Sequence, residues 1–249
     1  GASAIELDVH ATKDRQVVVC HDETVDRTTD HHGAIADFTL AELREMDNAF
    51  WWVQGATVSP GLADERYELR SRAPQDRNLG IATLEEVCVA FPNVIFNFDI
   101  KQTSPDVEPY EELLANELRR LEQTESVIVA SFHDVALRAF RRCCPEVATS
   151  AATDEMTAFY FSMFADDGLI VPPVVAFQVP ARVQDVDVVT EQFVEAAHGV
   201  DVAVHVWTIN ETEEMARLVD LGVDAIISDR PLVLVDVLKE RGCLWDGRR

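Results

Sequence analysis

The chain has 249 residues, 47% of them hydrophobic, enough to fill a sizeable core, and no apolar run approaches the roughly 20 residues a membrane-spanning helix needs. Its net charge of −24, from 45 acidic and 21 basic residues, disfavours nucleic acid and anionic membrane surfaces as partners. Lysine is scarce (Lys13, Lys101 and Lys239), a balance that fits adaptation to concentrated salt, where screening suppresses self-repulsion.

Ala4–Val9 and Val17–Cys20 are rich in branched residues and read as strands. Only a few residues separate them, too few for a crossover helix, so they are expected to form an antiparallel hairpin. Thr39-Leu-Ala-Glu42 is a capping box that starts a helix running to about Met46. Asn48 to Gly80 has no clear periodicity and holds Trp51, Trp52, Gly55, Pro60, Gly61 and Pro74; it reads as a small irregular insertion. A second capping box, Thr83-Leu-Glu-Glu86, opens a helix that ends before Pro92.

From there strands and helices alternate. Val94–Ile100 is a strand, and Pro105–Gln123 a helix with Leu113, Leu114, Leu118 and Leu121 at helical spacing. Strands follow at Val127–Ser131, Val147–Ala151, Val174–Val179, Val202–Ile209 and Ala225–Ser228. The helices between them span Asp134–Cys143, about Asp154 to Phe164, Thr190–His198 and Glu211–Leu221. Pro231 suits the first position of a last helix, to about Arg241. Five cysteines without a CxxC pair signal neither a zinc site nor a disulfide framework, and reduced thiols favour a cytoplasmic setting. No secretory leader is recognisable.

Alternating strands and helices imply parallel strands with crossover helices. Setting aside the second arm of the hairpin, the main strands number seven. A TIM-type (β/α)8 barrel needs eight, and no Gly-rich phosphate loop follows the first strand to support a doubly wound sheet. The expected fold is therefore an α/β barrel of the TIM type that lacks its first strand–helix unit, with residues 1–249 as a single domain and 48–80 as its insertion.

In such a barrel the chemistry collects at the carboxyl ends of the strands. Here those ends carry Glu6 and Asp8, Asp99 and Lys101, Ser131, Gln178, Trp207 and Asp229. Period two puts Glu6 and Asp8 on the same face of their strand, and Asp99 and Lys101 on the same face of theirs. Three carboxylates meeting at one mouth repel each other unless a hard divalent cation lies between them. Lys101 is then free to neutralise an anionic group on a substrate. Plainer readings exist. Asp99 and Lys101 can pair with each other, Trp207 can be core, Asp229 can be a helix N-cap, and His21 alone can be structural. His31 and His32 fit a solvated loop, His10 and His205 packing positions. The coincidence of polar groups at one end of successive strands outweighs these.

The stretch "ELDVHATKDRQVVVCHDETVDRTT", followed in order by "GIATLEEV", "FNFDIK", "VASF", "QVP", "VHVWTIN" and "GVDAIISDRP", resembles the glycerophosphodiester phosphodiesterase family. The resemblance implies a TIM-type barrel that hydrolyses glycerophosphodiesters to glycerol 3-phosphate and an alcohol. It implies a Mg²⁺ or Ca²⁺ ion held by Glu6, Asp8 and Asp99, with Asp99 at a position that is often Glu in the family. His21 matches one of two histidines that act as acid and base, Lys101 the phosphate holder; Trp207 and Gln178 are expected to line the substrate pocket. The family's H-R-G strand and its following P-E-N-T have no counterpart in these residues. The chain is thus expected to lack about 30 residues, one strand–helix unit, and to be weakly active or inactive by itself. The alternatives are a phospholipase-D-like phosphodiesterase on the same barrel, or a non-catalytic barrel.

Overall fold

The computed structural model describes residues 2–55 and 58–244; Gly1, Ala56, Thr57 and Trp245–Arg249 lie outside them. The first strand, β1 (Ala4–Ala11), turns into β2 (Val17–Val19) as the expected antiparallel hairpin, with Val9 opposite Val19. Both capping boxes form. Thr39 and Glu42 bracket α1 (Leu40–Glu45), and Thr83 and Glu86 bracket α2 (Leu84–Ala90), each pair satisfying two otherwise orphaned amides.

Among its described residues the irregular segment contains three single 3₁₀ turns, at Asp64–Arg66, Ala73–Gln75 and Arg77–Leu79. Its shape comes from side chains. The Arg70 guanidinium lies 4.1 Å from the Phe50 ring centroid and 3.9 Å from that of Tyr67, a stack of cation on aromatic faces. The Tyr67 hydroxyl donates to the Ser59 carbonyl at 2.7 Å.

Beyond it the elements alternate as expected: β3 (Ile95–Ile100), α3 (Glu111–Arg120), β4 (Val127–Ala130), α4 (Asp134–Cys143), β5 (Ala148–Thr149), α5 (Thr153–Ser162) and β6 (Ala176–Pro180). A short ribbon follows, β7 (Arg182–Val183) with β8 (Val186–Asp187). Then come α6 (Glu191–His198), β9 (Ala203–Trp207), α7 (Thr212–Leu221), β10 (Ala225–Ile226) and α8 (Pro231–Glu240). Gly222, with φ of 84°, supplies the left-handed residue that stops α7. The helix expected over Pro105–Gln123 keeps its leucines but is shorter, spanning Glu111–Arg120 with Leu121 as its C-cap. It starts at Glu111, because Pro109 carries no amide hydrogen and pushes Glu108 away from helical dihedrals.

The strands form the order β2-β1-β3-β4-β5 and, separately, β6-β9-β10. A parallel bridge between Ser150 and Ala176 joins the two sets. The sheet curls: Asn97 on β3 and Gln178 on β6 come close enough to exchange two side-chain hydrogen bonds although β4 and β5 lie between their strands. Among the described residues, β10 and β1 share no hydrogen-bonded ladder.

Among the described residues, buried apolar side chains gather in three places. One lies between β1, β3 and β4 and helices α2 to α4, around Phe96, Phe98, Leu114 and Phe140. A second lies around β6 and β9, with Phe159, Phe177, Phe193 and Leu218. A smaller one, with Val18, Ile35 and Leu43, seats the hairpin and α1. No helix among the described residues is long and apolar enough to cross a membrane.

Candidate active site

In the parallel pair of β1 and β3, Glu6 is opposite Asn97 and Asp8 opposite Asp99. Alternation then sorts the side chains. Leu7 and Val9 on β1, with Phe96, Phe98 and Ile100 on β3, pack into the apolar core. Glu6, Asp8 and His10, with Asn97, Asp99 and Lys101, share the other face. Register and alternation together bring carboxylate oxygens of Glu6, Asp8 and Asp99 within 4.8 Å of one another.

These acids face each other in a half-buried setting. Burial, followed by the charges of Asp8 and Asp99, pushes the Glu6 carboxyl up to about 7. Burial also raises Asp99, although Lys101 opposes it. The Lys101 ammonium lies 3.1 Å from Asp8 Oδ1 and 3.4 Å from Asp99 Oδ2. Burial alone would lower Lys101, but Asp99 and Asp8 outweigh it and hold the ammonium above its ordinary value. Asp99 Oδ1 is buried and has no hydrogen-bond partner among the described residues. A buried carboxylate oxygen left unpaired is costly. Three converging carboxylates, one with an orphaned oxygen, form an oxygen-donor set that fits a hard divalent cation.

His21 follows β2, one residue past Cys20, whose amide donates to the Asp8 carbonyl at 3.0 Å. Its Nδ1 lies 2.7 Å from Asp22 Oδ1. Trp207 ends β9, half-buried and edge-on to Phe132 with ring centroids 5.6 Å apart; Lys101 Nζ lies 6.0 Å from the Phe132 centroid. Gln178 is directed to Asn97 and to His205 Nδ1, 3.4 Å away, and its amide meets none of the three carboxylates. His10 is buried against Gln102, and burial holds it below its usual range. Ser131 donates to the Ile100 carbonyl at 2.6 Å and holds the strand end. Asp229 is not a side-chain N-cap of α8. It accepts from Asn210 Nδ2 at 2.9 Å, and its charge adds to the upward push on Glu6.

Residues that sequence reasoning passed over include Asn97, whose period-two relation to Asp99 was a usable signal. Phe132 stands within the quoted "VASF", and Asp22 and Arg27 within the quoted hairpin motif.

The model of the glycerophosphoryl diester phosphodiesterase family matches residues 1–233, and the chain belongs to that family. A glycerophosphodiester phosphodiesterase of Caldanaerobacter subterraneus subsp. tengcongensis is 30% identical over 247 residues, covering 97% of this chain and 88% of the relative. Among solved structures, the glycerophosphoryl diester phosphodiesterase domain of a Mycobacterium tuberculosis protein superposes with a TM-score of 0.73 at 18% identity, over 96% of this chain and 89% of that one. An Oleispira antarctica phosphodiesterase, solved in complex with the product sn-glycerol-3-phosphate, gives 0.70 at 21% identity, over 96% and 86%. The α/β fold described above is therefore that of the TIM-barrel structures of this family.

Proposed function

We propose that this chain is a phosphoric diester hydrolase that cleaves a small-molecule glycerophosphodiester to glycerol 3-phosphate and an alcohol. The observation that carries the proposal is the meeting of Glu6, Asp8 and Asp99 beside Lys101 in a member of this family. Those three carboxylates would hold one divalent ion, Mg²⁺ or Ca²⁺. When bound, that ion supplies Lewis-acid polarisation of the phosphoryl group.

Lys101 adds a fixed positive charge for the phosphate oxygens, in a setting where neighbouring carboxylates keep it protonated. His21 carries a proton to or from a reacting oxygen. Its contact with Asp22 leaves Nε2 without a protein partner among the described residues. Trp207 and Phe132 form the apolar wall beside Lys101 and orient the carbon part of the substrate. Gln178 acts with Asn97 beneath the carboxylates and reaches substrate only by exchanging that partner. Free thiols at all five cysteines support a cytoplasmic placement.

No H-R-G segment occurs in these 249 residues, so the second of the two histidine roles has no matching side chain. One general acid or base contributes typically about 10²–10⁴-fold, and these residues alone are expected to turn over slowly by that factor. The test is release of glycerol 3-phosphate from glycerophosphocholine, with chelator and then with Mg²⁺ or Ca²⁺ added back. Turnover that depends on the cation and disappears in Asp99→Asn supports the proposal. Turnover unaffected by chelator and by Asp99→Asn overturns it.

A further inference from the structure

His21 is not held by Asp22 alone. Arg27 grips the same carboxylate at two points, with Nε 2.6 Å from Oδ2 and a terminal nitrogen 3.1 Å from Oδ1. Oδ1 is also the atom 2.7 Å from His21 Nδ1. A fork of this kind fixes the plane of the carboxylate, as a single lysine contact cannot. Arg27 is also the main reason the Asp22 carboxyl lies below the usual carboxylate range, against the opposing effect of burial. An ionised carboxylate can only accept, so a neutral His21 must carry its hydrogen on Nδ1.

Resting on the reading of His21 as a proton carrier, we propose that Arg27 is a positioning residue. Through its two-point hold on Asp22 it fixes His21 in the Nδ1–H tautomer and keeps Nε2 as the nitrogen that exchanges protons. The unprotonated Nε2 takes a proton, or the imidazolium gives one back from the same atom, while Nδ1–H stays bonded to Asp22 throughout.

Two observations make Arg27 more than a surface ion pair. His31 and His32 make comparable contacts, Nδ1 to Asp30 at 2.7 Å and to Asp26 at 2.9 Å, but backbone amides, of Asp47 and Gly33, help to hold those carboxylates. At Asp22 the guanidinium fills that place. Arg27 also lines a cleft of about 430 Å³ with Asp26, His32, Trp51, Val58 and Pro60, so the hold on His21 comes from the wall shared with the irregular segment. The rival is that Arg27 serves only as a ligand contact of that cleft.

The test uses the full chain labelled with ¹⁵N-histidine, read by two-bond proton–nitrogen correlation near pH 8, where neutral rings report their tautomer. His21→Gln assigns the signal by its disappearance. The expected result is Nδ1–H for His21 in the wild type, a mixture or Nε2–H in Arg27→Met, partial return in Arg27→Lys, and an unchanged His31 signal in all. Residual turnover should fall about 10–100-fold in Arg27→Met with KM nearly constant, by analogy with the loss of groups that orient a ligating histidine. A wild-type Nε2–H tautomer, or an Nδ1–H tautomer that survives Arg27→Met, overturns the inference. So does a rise in KM alone, which would assign Arg27 to the cleft. The catalytic role of His21 is judged separately, by whether His21→Gln loses turnover; a Nδ1–H ring whose removal costs no activity sinks that role and leaves the clamp standing.

Discussion

Glu6 offers a direct test of the acidic cluster through stability. Its carboxyl is raised to about 7 in the folded chain, against an ordinary 4.5, by burial and then by Asp8 and Asp99. A raised carboxyl favours the folded state while it is protonated. Its contribution is fully present below about pH 4.5 and is lost as pH rises through about 7. The whole shift corresponds to roughly 3 kcal/mol at 1.36 kcal/mol per unit. Glu6 is only half-buried, so solvent screening leaves about 1–2 kcal/mol. Asp99 acts with the same sign, whereas His10 and His205, lowered by burial, act with the opposite sign as pH falls below their ordinary value. The difference between wild type and Glu6→Gln isolates the effect. In chelator, urea unfolding should find the two equally stable near pH 4.5 and Glu6→Gln more stable by about 1–2 kcal/mol at pH 8. With excess Ca²⁺ or Mg²⁺ at pH 8 the order should reverse, because the cation stabilises whichever folded chain binds it. Curves that coincide at pH 8 with and without cation would refute the convergence of charge around Glu6.

Lys101→Met should lower turnover about 10²–10³-fold, the cost of one lost charge-stabilising donor, measured by steady-state release of glycerol 3-phosphate. Trp207→Ala, by removing the partner of Phe132, should raise KM about tenfold with kcat nearly kept, the signature of uniform binding; a fall in kcat alone would contradict the wall assigned to it. Tyr110→Phe should cost roughly 1–2 kcal/mol in urea unfolding, since the buried hydroxyl donates to the Val9 carbonyl at 2.8 Å and accepts from the Gln102 amide. With a net charge of −24, the melting temperature should rise by about 4–8 °C between 0.1 M and molar KCl, as a gain of roughly 2 kcal/mol would give; equal melting in both would remove the salt-adaptation reading.

The order of elements was legible because several helices announce their start locally and apolar spacing marks the rest. Thr39 and Thr83 form their capping boxes, and α4 spans Asp134–Cys143 as its spacing requires. The cluster of Glu6, Asp8 and Asp99 was legible because period two and parallel register are sequence properties once strands are assigned. The start of α3 was not, because a proline at 105 also suits a first helical position, and only the second proline at 109 decides against it. The β7–β8 ribbon is two residues per arm and has no period to detect. The pairing of Asn97 with Gln178 is 81 residues long-range and depends on the curl of the sheet. The Arg27–Asp22–His21 chain was hidden for another reason: Arg27 lies five positions after Asp22 in a loop, and loop geometry brings them together without any helical or strand repeat.

Lys101 ties these observations to one charge argument. With Glu6, Asp8 and Asp99 ionised and Lys101 protonated, the mouth carries two uncompensated negative charges. Alone, the group relieves this by keeping a proton on Glu6 part of the time and by drawing Lys101 onto Asp8 and Asp99. That lysine is therefore an internal counter-ion, and it cannot give its full charge to a phosphate while it serves those two acids. A divalent cation would supply the missing two charges and release Lys101 toward an anionic substrate, which links cation binding to substrate binding through one side chain. The coupling predicts that cation and glycerol 3-phosphate each tighten the other's binding in the wild type, measurable by calorimetry of one in the presence of the other. In Lys101→Met the mutual gain should shrink although the three carboxylates remain. An undiminished gain in that variant would mean that the phosphate reads the cation directly and that Lys101 only keeps the acids apart.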